Sequence, residues 1–145
     1  MSRRPGSRAS MRHMKSFALL LPLCLLMQDP VRTNFAVLAG FEFSKGMKLP
    51  DEVTALDGKI VQLSGFMARE VPGSGPVGQF LMINDACGCN GTPKLNEIVF
   101  CALAEGTTME IKAGIVQVTG KLYVGEQTEE DEVVSIYVLD ADSVQ

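Results

Sequence analysis

Histidine and tryptophan are almost absent from this chain of 145 residues: there is one histidine, His13, and no tryptophan. His13 lies in a basic N-terminal stretch, so the rest of the chain offers neither an imidazole ligand nor a histidine general base. A Ser-His-Asp or Cys-His arrangement is therefore excluded from that part. No other complete catalytic constellation is found, and we predict that the protein is not an enzyme.

Long apolar runs are also missing. The longest, 17–27, has 11 residues, whereas a transmembrane helix needs about 20. Because a basic stretch precedes it, the run is typical of a signal peptide. We therefore predict that residues 1–28 are a signal or anchor segment, that the protein is exported to the periplasm or cell envelope, and that it touches a membrane only through this segment. Lipidation at Cys24 is a less favoured alternative, because Leu23 precedes it where a lipobox needs a small residue.

Positive charge is scarce beyond this segment. Five of the 13 Lys and Arg residues precede residue 29, so the remainder carries eight positive and 17 negative side chains, a net charge of −9. An acidic domain repels phosphate backbones. Stacking platforms for single strands are few too, with Tyr123 and Tyr137 as the candidate outward aromatic residues. We predict that nucleic acid is not a partner.

Alternating apolar residues predict five strands at 59–68, 79–84, 97–103, 115–124 and 133–144. Val134, Ile136 and Val138 are expected to point inward in the last strand, and Gly120 is expected to mark a bulge. The predicted fold is all-β with one or two short helices: a five-stranded OB-like barrel, or alternatively a small open β-sandwich. The predicted organisation is a segment 1–28, a lead-in 29–58 and a β-domain 59–145. The acidic stretch 125–132 is expected to form a hairpin loop, and 104–114 has room for one short helix.

The stretch 84–97, "NDACGCNGTPKLNE", places Cys87 and Cys89 on either side of Gly88. Two thiolates in such a turn suit one soft ion, Cu(I) or Zn(II). Zinc prefers four ligands, so Cys101 together with Asp85 or Glu97 would have to complete the set. The candidate metal ligands are therefore Cys87, Cys89 and Cys101.

A disulfide between Cys101 and either Cys87 or Cys89 is the alternative, since an oxidising compartment favours it. In a simple hairpin Cys101 lies opposite Phe80, roughly 13 Å from the loop base, so this disulfide needs the loop to fold back over the strand. A small buried apolar role for Cys101 is therefore favoured. A redox enzyme would need a cation beside its thiolate, and Lys94 is the nearby one.

The order of the motifs "LDGKIVQLSGFM", "FLMIN", "NEIVF", "VQVTGKLYVGE" and "IYVLDADSV" resembles a family of small exported bacterial proteins classed as a domain of unknown function. The resemblance covers about residue 35 to the C-terminus. It implies an OB-like fold and an envelope location. Some members are similar to proteins encoded near metal-transport genes, which implies a metal accessory role. The Cys-Gly-Cys spacing departs from the family pattern.

The sequence thus favours an exported, non-enzymatic binding or accessory module that handles Cu(I) or Zn(II) through Cys87 and Cys89. An envelope protein or a metal transporter is the expected partner. The alternative function is a structural or interaction domain whose disulfide pins the loop. A thiol redox enzyme is a more distant alternative.

Overall fold

A computed structural model describes residues 28–85, 87–89 and 91–145. The predicted signal run, with His13 and Cys24, lies outside the described residues. None of the helices within the described ranges is long and apolar enough to cross a membrane.

The chain is nearly all β, as predicted. Two short helices precede the main strands, and a single 3-10 turn at Leu95–Glu97 lies between the third and fourth strands. The elements in chain order are β1 Val31–Arg32, α1 Phe35–Leu38, α2 Asp51–Thr54, β2 Lys59–Ala68, β3 Gln79–Ile83, β4 Ile98–Ala102, β5 Ile115–Glu129 and β6 Glu132–Val144.

Five strands close a ring of hydrogen-bonded neighbours in the order β2-β3-β4-β6-β5, and β5 returns to pair with β2. The β4–β6 pair is parallel and its neighbours in the ring are antiparallel. The short β1 adds to β2 in parallel, at Val61 and Gln62. This ring has the strand order of an OB-like barrel, which confirms the predicted fold class.

The core lies inside the ring because alternate residues of each strand point inward. Val61, Leu63 and Met67 of β2 are buried, as their alternation predicts. At Gly120 the backbones of β5 and β6 approach closely: a Cβ there would lie 2.1 Å from the Asp140 carbonyl oxygen. The β5–β6 register shifts between Thr119 and Gly120, which confirms the predicted bulge.

The acidic stretch 125–132 is strand for most of its length, so the expected hairpin loop is wrong in extent. β5 continues to Glu129, β6 begins at Glu132, and a two-residue turn joins them. Glu130 and Asp131 both have positive φ, 47° and 67°, as the favoured two-residue hairpin turns require. Most of the acidic side chains are exposed, whereas Glu126 is partly buried and accepts a 2.6 Å hydrogen bond from the Gly46 amide. Charge therefore does not end the ladder.

The inward face of β6 also differs from the prediction. Ile136 is buried as expected, but Val138 is only partly buried, and Tyr137 and Leu139 are fully buried. Two further register shifts between Val124 and Thr128 change which residues of β6 face inward. The expectation that Tyr137 faces outward is therefore wrong.

The predicted lead-in is part of the same core. Phe35 and Leu38 of α1 and Val53 of α2 are buried against the barrel residues. The Tyr137 hydroxyl donates a 2.7 Å hydrogen bond to the Leu38 carbonyl oxygen, which ties α1 to β6. The predicted turn at Asp57-Gly58 is present, with φ of +71° at Gly58. The connection 104–114 contains no helix and instead forms a bridge to residue 77.

Candidate functional site

The cysteine loop joins β3 to β4 at the end of the barrel where the lead-in packs. Ile83 and Ile98 form the last pair before the loop. Asn96 Nδ2 donates a 2.6 Å hydrogen bond to the Phe41 carbonyl oxygen. The base of the loop is therefore anchored to the lead-in, while its tip projects into solvent.

The tip is a tight turn closed by a disulfide between Cys87 and Cys89, whose Cα atoms lie 5.3 Å apart. Gly88 between them has φ of +64°, a conformation that glycine adopts without strain. The Cys87 amide donates a 2.9 Å hydrogen bond to Asp85 Oδ1, and the Gly91 amide donates to the Gly88 carbonyl oxygen at 3.0 Å. Both cysteines are exposed.

Asp85, Cys87 and Cys89 together form one group of possible metal ligands. A carboxylate oxygen of Asp85 and the Sγ atoms of Cys87 and Cys89 all lie within 4.8 Å of one another. In the disulfide form the two sulfurs are bonded to each other and neither is a thiolate. After reduction, the same positions would present two soft sulfur donors and one oxygen donor on an exposed turn.

Glu97, the other carboxylate expected to complete the ligand set, lies at the loop base and is not a member of this group. Its Oε2 accepts a 2.8 Å hydrogen bond from the Lys94 amide, as in a capping arrangement. Both Glu97 and Asp85 line a small cavity of about 70 Å³ between the loop and the end of α1. The cavity wall also contains Ala39, Ile83, Asn84, Gly91 and Pro93.

Cys101 is placed away from this group. It pairs with Phe80 across β3 and β4, which is the register that a simple hairpin predicts. It is a free cysteine and 1% exposed, and burial raises the pKa of its thiol well above the usual range. Cys101 therefore belongs to the core.

Two expectations about Cys101 are corrected by this placement. The disulfide in the structure joins Cys87 to Cys89, so neither predicted disulfide with Cys101 is formed. Cys101 is also absent from the group of ligand atoms. The physical reason is the strand alternation that points its side chain into the barrel, several residues down the strand from the loop.

Lys94, the one basic residue of the loop segment, forms an ion pair with Glu42 at 3.1 Å. The Lys94 ammonium group is thus paired with a carboxylate of the lead-in. Sequence reasoning missed this partner because 52 residues separate the two. It also missed Asn96, which is 1% exposed and has a buried Oδ1 without a hydrogen-bond partner in the described ranges; nothing in the local pattern marks it.

The ring topology and the exposed cysteine loop define a small OB-like β-domain with a disulfide-closed turn at one end. The chain belongs to the DUF3299 family, described as proteins of unknown function, whose profile matches residues 27–145. This confirms the resemblance to a family of unknown function. The export and the metal-gene association attached to that resemblance stay predictions.

The chain is similar to a crystal structure of a DUF3299 family protein from Pseudomonas aeruginosa PAO1. The TM-score is 0.56 at 22% sequence identity, and the match covers 81% of this chain and 95% of that chain. At this identity the likeness shows the fold alone. No curated protein matches the chain.

Proposed function

We propose that this protein is an exported, non-enzymatic accessory module that binds one soft metal ion through Cys87 and Cys89 in their reduced form. The observation that carries the proposal is the group of three donors, the two sulfurs and an Asp85 oxygen, within 4.8 Å on an exposed turn. Soft thiolate ligands select ions such as Cu(I) and Zn(II).

The donor set favours Cu(I) over zinc. Two thiolates at i and i+2 are enough for a low-coordinate soft ion, and the Asp85 oxygen is close enough to supplement them. Zinc is almost always four-coordinate in structural sites, and the group offers three protein donors. A zinc ion would need a further ligand from water or from a partner protein.

Exposure of the turn suits transfer of a metal to a second protein. Cys87, Gly88 and Cys89 are all exposed, so a partner could reach an ion bound there without unfolding the barrel. The net charge of −9 outside the N-terminal segment favours association with cations. We therefore propose an envelope protein or a metal transporter as the partner. The proposed envelope location rests on the basic stretch and the apolar run 17–27 that precede the domain.

The test is a Cu(I) titration of the reduced protein under anaerobic conditions, against a chromophoric copper chelator. The wild-type protein should withdraw one Cu(I) per chain from the chelator. Cys89→Ser should weaken the affinity at least 100-fold while the circular dichroism spectrum stays unchanged. Cys101→Ala is the matched control, since it removes a cysteine outside the group, and it should bind as the wild-type protein does.

An equal affinity in wild-type and Cys89→Ser proteins would contradict the proposal. A loss of binding in Cys101→Ala with the fold intact would contradict the assignment of the site to the loop. Zinc, titrated in the same way, should bind more weakly than Cu(I).

The exposed disulfide itself supports a second candidate function, thiol–disulfide exchange. One contact disfavours this function. Lys94, the cation expected to stabilise a thiolate, forms an ion pair with Glu42 instead. A redox protein should show a thiol that titrates well below the usual cysteine pKa of about 8.5 and should catalyse reduction of a model disulfide substrate. An accessory module for metal should do neither.

A further inference from the structure

We infer that the Cys87–Cys89 disulfide is a redox gate for the metal site: the ligand set exists only after a dithiol reductant has opened the bond. This inference rests on the proposed function. It adds how the reduced form arises in the folded protein, and it specifies the chemical class of a partner, a dithiol that exchanges with an exposed disulfide.

The gate follows from the identity of the ligand atoms. The two sulfurs that would bind the ion are the two sulfurs that form the disulfide. A cysteine binds a soft metal ion as its thiolate, and a disulfide sulfur has neither the charge nor the donor strength of a thiolate. In the oxidised form only the Asp85 carboxylate of the group keeps its donor character, and a single hard oxygen does not select a soft ion.

Opening the gate is a thiol–disulfide exchange. A thiolate of the reductant attacks the Sγ of one loop cysteine, breaks the Cys87–Cys89 bond and forms a mixed disulfide, and the other loop cysteine leaves as a thiolate. The second thiol of the reductant then attacks the mixed disulfide and releases the first cysteine. Two electrons and two protons pass to the loop, and the reductant leaves as a disulfide. Since both loop cysteines are exposed, a reductant has access to either sulfur.

The switch is confined to the turn. On the β4 side of the loop, the Glu97 carboxylate accepts a hydrogen bond from the Lys94 amide, and Asn96 donates one to the lead-in. On the β3 side, Ile83 pairs with Ile98 of β4 and with Phe66 of β2. None of these contacts involves the disulfide. Cys101 does not compete for either sulfur, because it is buried in the core. Reduction therefore frees two ligands without changing the barrel.

The experiment compares oxidised and reduced full-length protein, the latter reduced with dithiothreitol and desalted without oxygen. Each sample is titrated with Cu(I) held by a chromophoric chelator, and native mass spectrometry reports the metal content and the two-hydrogen mass difference. The reduced protein should bind one Cu(I) per chain, and the oxidised protein should bind less than a tenth as much. Cys101→Ala should show the same contrast, and a Cu(I)-loaded sample should resist re-oxidation by a diamide-type oxidant.

The outcomes separate the gate from the function on which it rests. Equal Cu(I) binding by oxidised and reduced protein would overturn the gate, and with it the assignment of the ion to the Cys87 and Cys89 thiolates. No binding by either form would overturn both. If dithiothreitol fails to open the bond in the folded protein but opens it after unfolding in urea, the gate is overturned even when chemically reduced protein binds Cu(I).

Discussion

Replacing both loop cysteines with serine is predicted to destabilise the fold only slightly. The size of the loss distinguishes the local Cys87–Cys89 disulfide from a disulfide that would join the loop to Cys101 in the barrel. The disulfide in the structure joins residues two apart in sequence. In the chain-entropy relation, closing a three-residue loop restricts the unfolded chain by about 1.6 kcal/mol, whereas a 15-residue loop, as between Cys87 and Cys101, gives about 3 kcal/mol.

In the folded state, loss of the two side chains adds little to the change in the free energy of unfolding. Cys87 and Cys89 are both exposed, so their removal leaves no cavity in the core. The double variant Cys87→Ser/Cys89→Ser should therefore lose about 1.6 kcal/mol or less in the free energy of unfolding.

Urea unfolding of oxidised protein, followed by circular dichroism, measures this loss. The midpoint should fall slightly and the slope m should stay nearly constant, because the area buried on folding is the same. Cys101→Ala is the control for disulfide identity: it should keep a mass two hydrogens below that of its reduced form. A loss near 3 kcal/mol in the double variant, together with a missing disulfide in Cys101→Ala, would refute the assignment of the bond to the loop.

Three further predictions concern the barrel. Tyr137→Phe removes the buried hydroxyl that donates to the α1 carbonyl and should cost about 1–3 kcal/mol, whereas Tyr123→Phe, at an exposed position, should stay within about 0.5 kcal/mol; urea midpoints compare the two. Gly120→Ala places a methyl group against the Asp140 carbonyl oxygen and should cost about 1–3 kcal/mol by the same assay. Burial raises the pKa of Cys101, so stability is complete below the unfolded-state pKa of about 8.5 and should fall by about 1.4 kcal/mol per pH unit above it. Cys101→Ala should remove this component between pH 8.5 and 10, and an unchanged slope would contradict it.

The comparison of prediction and structure is clearest at the strands. The limits of β2 agree with the prediction, and the hairpin register that places Cys101 opposite Phe80 follows from counting residues back from the loop ends. These features are local: the period of two and the turn residues decide them. The β6 face was predicted wrongly because irregular pairing with β5 changes the alternation, and a bulge on one strand leaves no mark in the sequence of its neighbour.

At the candidate site, the sequence alone indicated a tight Cys-Gly-Cys turn, with Asp85 or Glu97 as the candidate oxygen donor. It also indicated an acidic domain without a histidine ligand, because composition and local spacing are sufficient for those conclusions. Which cysteines pair, where the charge of Lys94 is directed and which face of β6 holds Tyr137 were decided only by the tertiary structure. Each of these depends on distances between elements far apart in the chain. Barrel closure, the bulges and the packing of the lead-in determine those distances jointly, and no local pattern records them.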